Sequence, residues 1–384
     1  MLLKQLTAAA KKEYLEVLVN GYLQRVQVDL LDVNEDVTAS LTDGPIALTG
    51  GEVSMNSTED VTRTCTLSLV DEAHKLRYGK RDDHDYVMYV GRMVQVRWGV
   101  YLPKAGTWCD VPIFTGPITA FAVQGANVNI QAAGKEWLLL DPFIYFKTRD
   151  WKNGGHPTDM LRSMLQDRGE WNFRGFPPNP TDRVKNWSIA RWESTWPSAK
   201  RLAFLSGHRV LYYAGDGACT LRKRESKPAW DFGTGQDVLG EPGFAYAFAD
   251  LRNFVQVNYT DDKKKASEVS DFGPPDALAA KVLARNNVPL VLGELIDMTS
   301  AKTSPKEAQG IADIALNQAG RTPVQVAFNA LPVPHLEEYT TASITWDGYK
   351  YVFALVSFSF GLTPGGTMSV NIDSDQLKKR TKVP

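Results

Sequence analysis

The sequence predicts an α+β, β-rich chain assembled from β-barrel or sandwich units with helical insertions. Three observations carry this prediction. Period-two strand patterns fill residues 22–140 and return over 324–372, and helix-like segments in two pairs lie between them. The regular βαβα rhythm of a doubly wound sheet is missing.

Residues 3–17 read as a short helix, with Leu3, Leu6, Ala10 and Tyr14 at spacings of three and four. Such a helix either docks on a neighbour or caps its own core. From Tyr22 the period becomes two: Val26, Val28 and Leu30 open a strand region that Val37–Leu48 continues. Thr62–Val70 alternates cleanly, Thr62, Thr64, Thr66 and Ser68 opposing Arg63, Cys65, Leu67 and Leu69, the mark of a half-buried strand. Met93–Trp98 and Val111–Phe114 follow. Ile118–Val123 and Val128–Ala132 flank Gln124-Gly125-Ala126-Asn127, which reads as a hairpin turn.

Thr158 is placed to cap a helix whose Met160, Leu161, Met164 and Leu165 share a face and whose stop is Gly169. A second helix carries Pro197 in its first turn and ends at Gly207. Arg209–Tyr213 and Ala218–Lys223 make a hairpin, and Phe254–Tyr259 a further strand before the charged loop Asp261–Lys265. Asp276 is expected to cap a helix with Leu278, Val282 and Leu283. Ser304-Pro305-Lys306-Glu307 is a capping box opening another, apolar at Ala308, Ile311, Ala312, Ala315 and Leu316 and closed by Gly320. The last strands are Val324–Phe328, Ala342–Trp346, Tyr349–Phe360 and Met368–Ile372.

The 384 residues balance 43 Lys and Arg against 44 Asp and Glu, which argues against a protein that coats nucleic acid by bulk charge. Three scattered cysteines, Cys65, Cys109 and Cys219, are too few for a disulfide framework and read as buried thiols. The N-terminus lacks the apolar core of a secretory signal, and no run approaches 18 apolar residues, so synthesis in a reducing cytoplasm without an integral membrane segment is expected. Forty aromatic rings stand out as candidate anchors for a core or an interface.

Catalytic chemistry is faint. Gly233, Gly235 and Gly240 have the wrong spacing for a dinucleotide loop, and no Walker pattern occurs. The five histidines are isolated in sequence, and Asp82-Asp83-His84-Asp85 lacks the spaced ligands of a calcium loop. Ser206-Gly207-His208 is no nucleophile elbow. Trp187, Trp192 and Trp196 have the ring chemistry to stack on sugars, although such residues more often plug gaps between subdomains. Glu337-Glu338 reads as a loop before a strand. The basic runs Leu221–Arg224 and Leu377–Arg380 read as solvated faces, the second in a fraying end. No catalytic residue, cofactor or metal is expected, and assembly is the function that this pattern favours.

Several segments, in their order, resemble the hub proteins of tailed-phage tails and baseplates, above all minor tail proteins of long-tailed phages of actinobacteria. They are Gly50-Gly51-Glu52-Val53-Ser54, where the family has a short turn before a strand, followed by Asp60–Leu69 with Arg63 and a Leu-rich end. Phe114-Thr115-Gly116-Pro117-Ile118 resembles a recurrent strand entry. Arg252–Val257 and Pro332–Glu337 also fit. Gly134-Lys135-Glu136-Trp137-Leu138-Leu139 departs from the pattern, Lys135 and Glu136 standing where the family has Asp before a leucine pair.

The resemblance implies two tube-like β domains per chain and a ring of three chains that adapts a hexameric tail tube to the tip. It also implies a lumen that DNA crosses without specific binding, and a place at the virion's tail tip. Implied partners are two further copies, the tail tube or distal tail protein, the tape-measure protein and receptor-binding tip proteins. On this reading residues 1–20 are an N-terminal helical extension, 21–145 the first β domain and 146–206 a helical insertion. Residues 207–260 join the second β domain, 261–321 form another helical insertion, 322–374 complete the second β domain, and 375–384 are a flexible basic tail. In Tyr351–Phe360 neither face is polar, so a second cover is needed. Tyr351, Phe353 and Leu355 are therefore candidate subunit contacts, an internal helix being the other possible cover. The alternatives to a hub are a cell-wall or glycan hydrolase and a carbohydrate-binding adhesin.

Overall fold

A computed structural model describes residues 6–42, 44–76, 88–140, 149–151, 154–177, 183–184, 187–189, 194–207, 209–223, 227–233, 237–246, 254–261, 264–272, 293–302, 305, 308–313, 324–346, 348–372 and 377–382. The chain divides into two compact units. Unit 1 is Met1–Gly240, Phe328–Val370 and Thr381–Pro384, and unit 2 is Glu241–Ala327 and Asn371–Arg380. The strands of 328–370 lie in unit 1. Among the described residues no helix is long and apolar enough to cross a membrane.

Unit 1 opens with α1 (Ala8–Asn20), β1 (Gln24–Leu31), β2 (Val37–Ser40), β3 (Ile46–Asn56), β4 (Arg63–Asp71), β5 (Met93–Leu102), β6 (Thr107–Gln124) and β7 (Asn127–Ala133). The helix starts at Ala8 because the Thr7 hydroxyl accepts the Ala10 N–H at 3.2 Å, capping it there. Tyr14 and Leu18 are fully buried, so α1 covers its own unit's core. Strand β4 keeps the expected alternation, with Arg63, Cys65, Leu67 and Leu69 inward. Gly50 and Gly51 do not form a turn before a strand. They lie inside β3 at a register shift, and Gly51 (φ 142°) has no room for a side chain, since a Cβ would stand 2.3 Å from the Thr66 carbonyl. The turn between β6 and β7 falls at residues 125–126 as expected.

The insertion contains α2 (Trp137–Leu140), β8 (Arg149–Trp151), α3 (Pro157–Gln166), β9 (Phe173–Arg174), β10 (Trp187–Ile189), α4 (Thr195–Leu205), β11 (Arg209–Tyr213) and β12 (Cys219–Lys223). His156, not Thr158, is the N-cap of α3, because Pro157 occupies the first helical position and Thr158 is carried inward. Met160, Leu161, Met164 and Leu165 pack on Trp196, Ala199, Leu202 and Ala203 of α4 and on Leu211, Tyr213, Cys219 and Leu221 of the β11–β12 hairpin. That hairpin therefore completes the helical insertion's core. All three cysteines are buried free thiols.

The remaining strands are β13 (Trp230–Phe232), β14 (Val238–Tyr246), β15 (Phe254–Asp261), β16 (Lys264–Phe272), β17 (Gly293–Lys302), β18 (Val324–Ala330), β19 (Thr341–Trp346), β20 (Tyr349–Ala354), β21 (Ser357–Gly361), β22 (Met368–Ile372) and β23 (Leu377–Lys382). In unit 1 eight strands pair antiparallel in the order β21-β3-β4-β7-β6-β5-β1-β2. Strand β13 runs parallel to β19, which pairs antiparallel with β20. The expected single strand Tyr349–Phe360 is two. At Leu355–Val356 the backbone leaves β19, bonding Thr340 and Tyr339 and then Ser57, so that β21 pairs with β3 instead. In unit 2, β15 lies between antiparallel β16 and parallel β17, and buried Ala308 and Ala312 with Ile311 pack on Val255, Val257 and Tyr259. The end expected to fray is a strand over Leu377–Lys382, an extended backbone needing only main-chain partners that a charge run does not reveal. The expected helix at 276–283, the Asp82–Asp85 cluster and most of the Ser304–Glu307 box lie outside the described residues.

Candidate functional site

The densest polar chemistry sits inside unit 1, where strands, insertion and the 332–340 segment converge. Arg63 opens β4 on its inward face and is almost wholly buried, as is Glu338 in the turn before β19. The guanidinium donates Nε to Glu338 Oε1 at 2.7 Å and Nη2 to Oε2 at 2.6 Å, a fork-on-fork pair. Its Nη1 donates to the Ile113 carbonyl at 2.6 Å. Burial opposes the charge on Arg63, but the apposed Glu338 carboxylate outweighs it and holds the guanidinium pKa above its ordinary value.

Lys135 makes a second staple. Its Nζ lies 2.5 Å from Glu35 Oε1 and 2.6 Å from Glu170 Oε2, donates to the Gly217 carbonyl at 3.2 Å, and stands over the Tyr213 ring. One ammonium thereby ties the β1–β2 turn, the segment after α3 and the β11–β12 turn to the end of β7. Burial disfavours its charge, and Glu170 and then Glu35 more than compensate, raising its pKa.

Glu136, next in sequence, is fully buried. Its Oε1 accepts the Thr62 hydroxyl at 2.6 Å and the Tyr213 N–H at 3.4 Å, while Oε2 has no hydrogen-bond partner among the described residues. Burial, with Glu338 adding a smaller push, raises its pKa to about 7. Gly134 leaves room for this carboxylate, because a Cβ there would stand 2.1 Å from Glu136 Oε2 and force it to shift. Tyr212 donates to Glu337 at 2.7 Å, and Arg222 stacks on the Tyr212 ring while bonding the Glu338 carbonyl and Thr340. These groups hold carboxylates and cations against one another in fixed geometry, so the site acts as a joint that locks segments far apart in sequence.

Of the predicted contacts, Phe353 and Leu355 are buried in this chain's own core, Phe353 beside Phe328, whereas Tyr351 is half-buried and keeps exposed surface near Tyr349. The two described tryptophans of the group are engaged within the chain. Trp196 is fully buried and stacked on Tyr213 at 5.6 Å, Trp187 packs beneath Arg201, and Trp192 lies outside the described residues. Residue type alone does not bring Arg63, Lys135, Glu136 and Glu338 together as one cluster. The available signals were an arginine on the apolar face of β4 and the Lys135-Glu136 departure from the family pattern.

No protein-family profile matches the chain, and no curated protein sequence matches it. Solved structures do. The 43 kDa tail protein of prophage MuSo2 from Shewanella oneidensis superposes with a TM-score of 0.60 at 10% identity, covering 92% of this chain and 100% of that one. The fold is that of prophage tail proteins. A tail protein from Neisseria meningitidis matches at TM-score 0.58 and 10% identity, over 92% of this chain and 97% of its own. A prophage tail protein of Listeria monocytogenes matches at 0.52 and 10%, over 92% and 95%. The likeness runs nearly end to end, so both units belong to the tail-protein fold.

Proposed function

We propose that this protein is a structural hub of a phage tail, three copies forming a ring at the distal end that joins the tail tube to the tip and surrounds the path of the DNA. The observation that carries this reading is the end-to-end likeness to prophage tail proteins. Buried ion pairs clamping β4, the insertion and the 332–340 segment suit a load-bearing part, since each leaves an uncompensated buried charge if pulled apart. Two further copies, the tube or distal tail protein, the tape-measure protein and receptor-binding tip proteins are its partners on this reading. On this reading the tail is that of a long-tailed phage of the actinobacterial type that the sequence resembles. Tyr351, with its exposed surface, is the best placed of the predicted subunit contacts. Gold-labelled antibody against the chain tests the location on intact particles. Label at the distal tail end agrees with a hub, and label along the tail or on the head contradicts it.

A further inference from the structure

Charge is distributed unevenly along this near-neutral chain. Residues 26–62 hold eight Asp and Glu and no Lys or Arg, whereas residues 137–223 hold 14 Lys and Arg against eight Asp and Glu, a net charge of +6. Each region presents large apolar side chains to solvent. Val33, on the β1–β2 turn, is 90% exposed, and Val37, which opens β2 beside the exposed Asp36, is 56% exposed. Glu35 of that turn is tied through Lys135 to the buried Glu170, whose neighbour Trp171 is 71% exposed, so exposed Asp36 and large apolar side chains lie on segments joined by this staple.

A basic counterpart lies on α4. This helix has Lys200 and Arg201 and no acidic residue; Lys200 is engaged at 2.9 Å by Asp60 of this chain's own acidic stretch, and Arg201 lies exposed over the Trp187 ring. Arg201, Phe204 and Leu205 fall at i, i+3 and i+4, opposite the buried Trp196, Ala199, Leu202 and Ala203. Phe204 is 59% and Leu205 41% exposed. The first end of α4 is held at the staple side, Ser194 Oγ donating to the Leu139 carbonyl at 3.1 Å. Phe204 lies nearly the full helix away, about 15 Å at 1.5 Å per residue.

From this we infer that the Arg201–Phe204–Leu205 face of α4 docks on the Val33–Asp36–Val37 surface of a second copy of this chain. Matching charge around apolar anchors on two different patches defines a heterologous, head-to-tail contact, the kind that closes into a ring when the rotation permits. The inference rests on the ring proposed above and names the surfaces that close it.

The test is sedimentation velocity of the full chain over a rising concentration series, with circular dichroism confirming that each variant is folded. The wild type self-associates. Arg201→Glu and Asp36→Lys each weaken association at least tenfold, and the chain carrying both regains it because the charges are exchanged across the contact. Three results overturn the inference: a wild type that stays monomeric throughout, or that associates only when DNA or another tail protein is added; an Arg201→Glu chain that associates like wild type; or a double variant as weak as the singles. If charge-reversed chains still form threefold rings in assembled tails, the hub reading stands and this contact falls. If tails contain no such ring, the hub reading falls by itself.

Discussion

Arg63 and Glu338 stand 275 residues apart in sequence and meet in a buried bidentate ion pair, with N–O distances of 2.7 and 2.6 Å. Desolvating two charges is expensive, so the pair's net contribution is modest, but losing one partner strands the other. Arg63→Met or Glu338→Leu alone should therefore cost about 3–5 kcal/mol. The double substitution should cost far less than the sum of the two. Denaturant titration measures this, and additive single effects would contradict the pairing.

Glu136 gives stability a dependence on alkali. Its folded pKa of about 7 lies above the ordinary 4.5, so the folded state favours the protonated acid. That contribution is complete below pH 4.5 and is lost as pH climbs to about 7, a swing of about 3 kcal/mol. Glu136→Gln keeps an acceptor for Thr62 and cannot ionise. It should flatten this limb and raise stability at pH 8, as read from thermal melts at pH 5 and 8. A variant with the wild-type pH profile would place the titration elsewhere.

His335 acts in the opposite direction. It is half-buried beside Tyr14 and Trp230, its Nδ1 3.3 Å from the Tyr14 hydroxyl, and desolvation lowers its pKa to about 4 from 6.5. Its stabilising contribution is present above pH 6.5 and is lost as pH falls towards 4, about 3 kcal/mol in all. His335→Gln should remove much of that acid sensitivity, and amide exchange of α1 at pH 4.5 should slow relative to wild type. Unchanged exchange would detach α1 from this histidine.

The sequence made the local periodicities legible. The alternation of β4, the hairpin between β6 and β7 and the shared face of Met160, Leu161, Met164 and Leu165 all depend on neighbours within a few residues. The break at Leu355–Val356 was hidden because both halves alternate alike, and only their partners, β19 and β3, differ. The joint was hidden for a related reason. In sequence a buried Glu338 looks like any loop carboxylate, and its partner is separated from it by most of the chain. Tyr351, Phe353 and Leu355 were chosen for apolar strand faces, but tertiary packing has already placed two of the three in the core.

The central claim is a hub of three chains, and a reconstruction of the tail tip without imposed symmetry tests it most directly. The account predicts three copies of this chain arranged in one ring around an axial channel. Any other copy number per tip, or a position away from the tail's distal end, would contradict it.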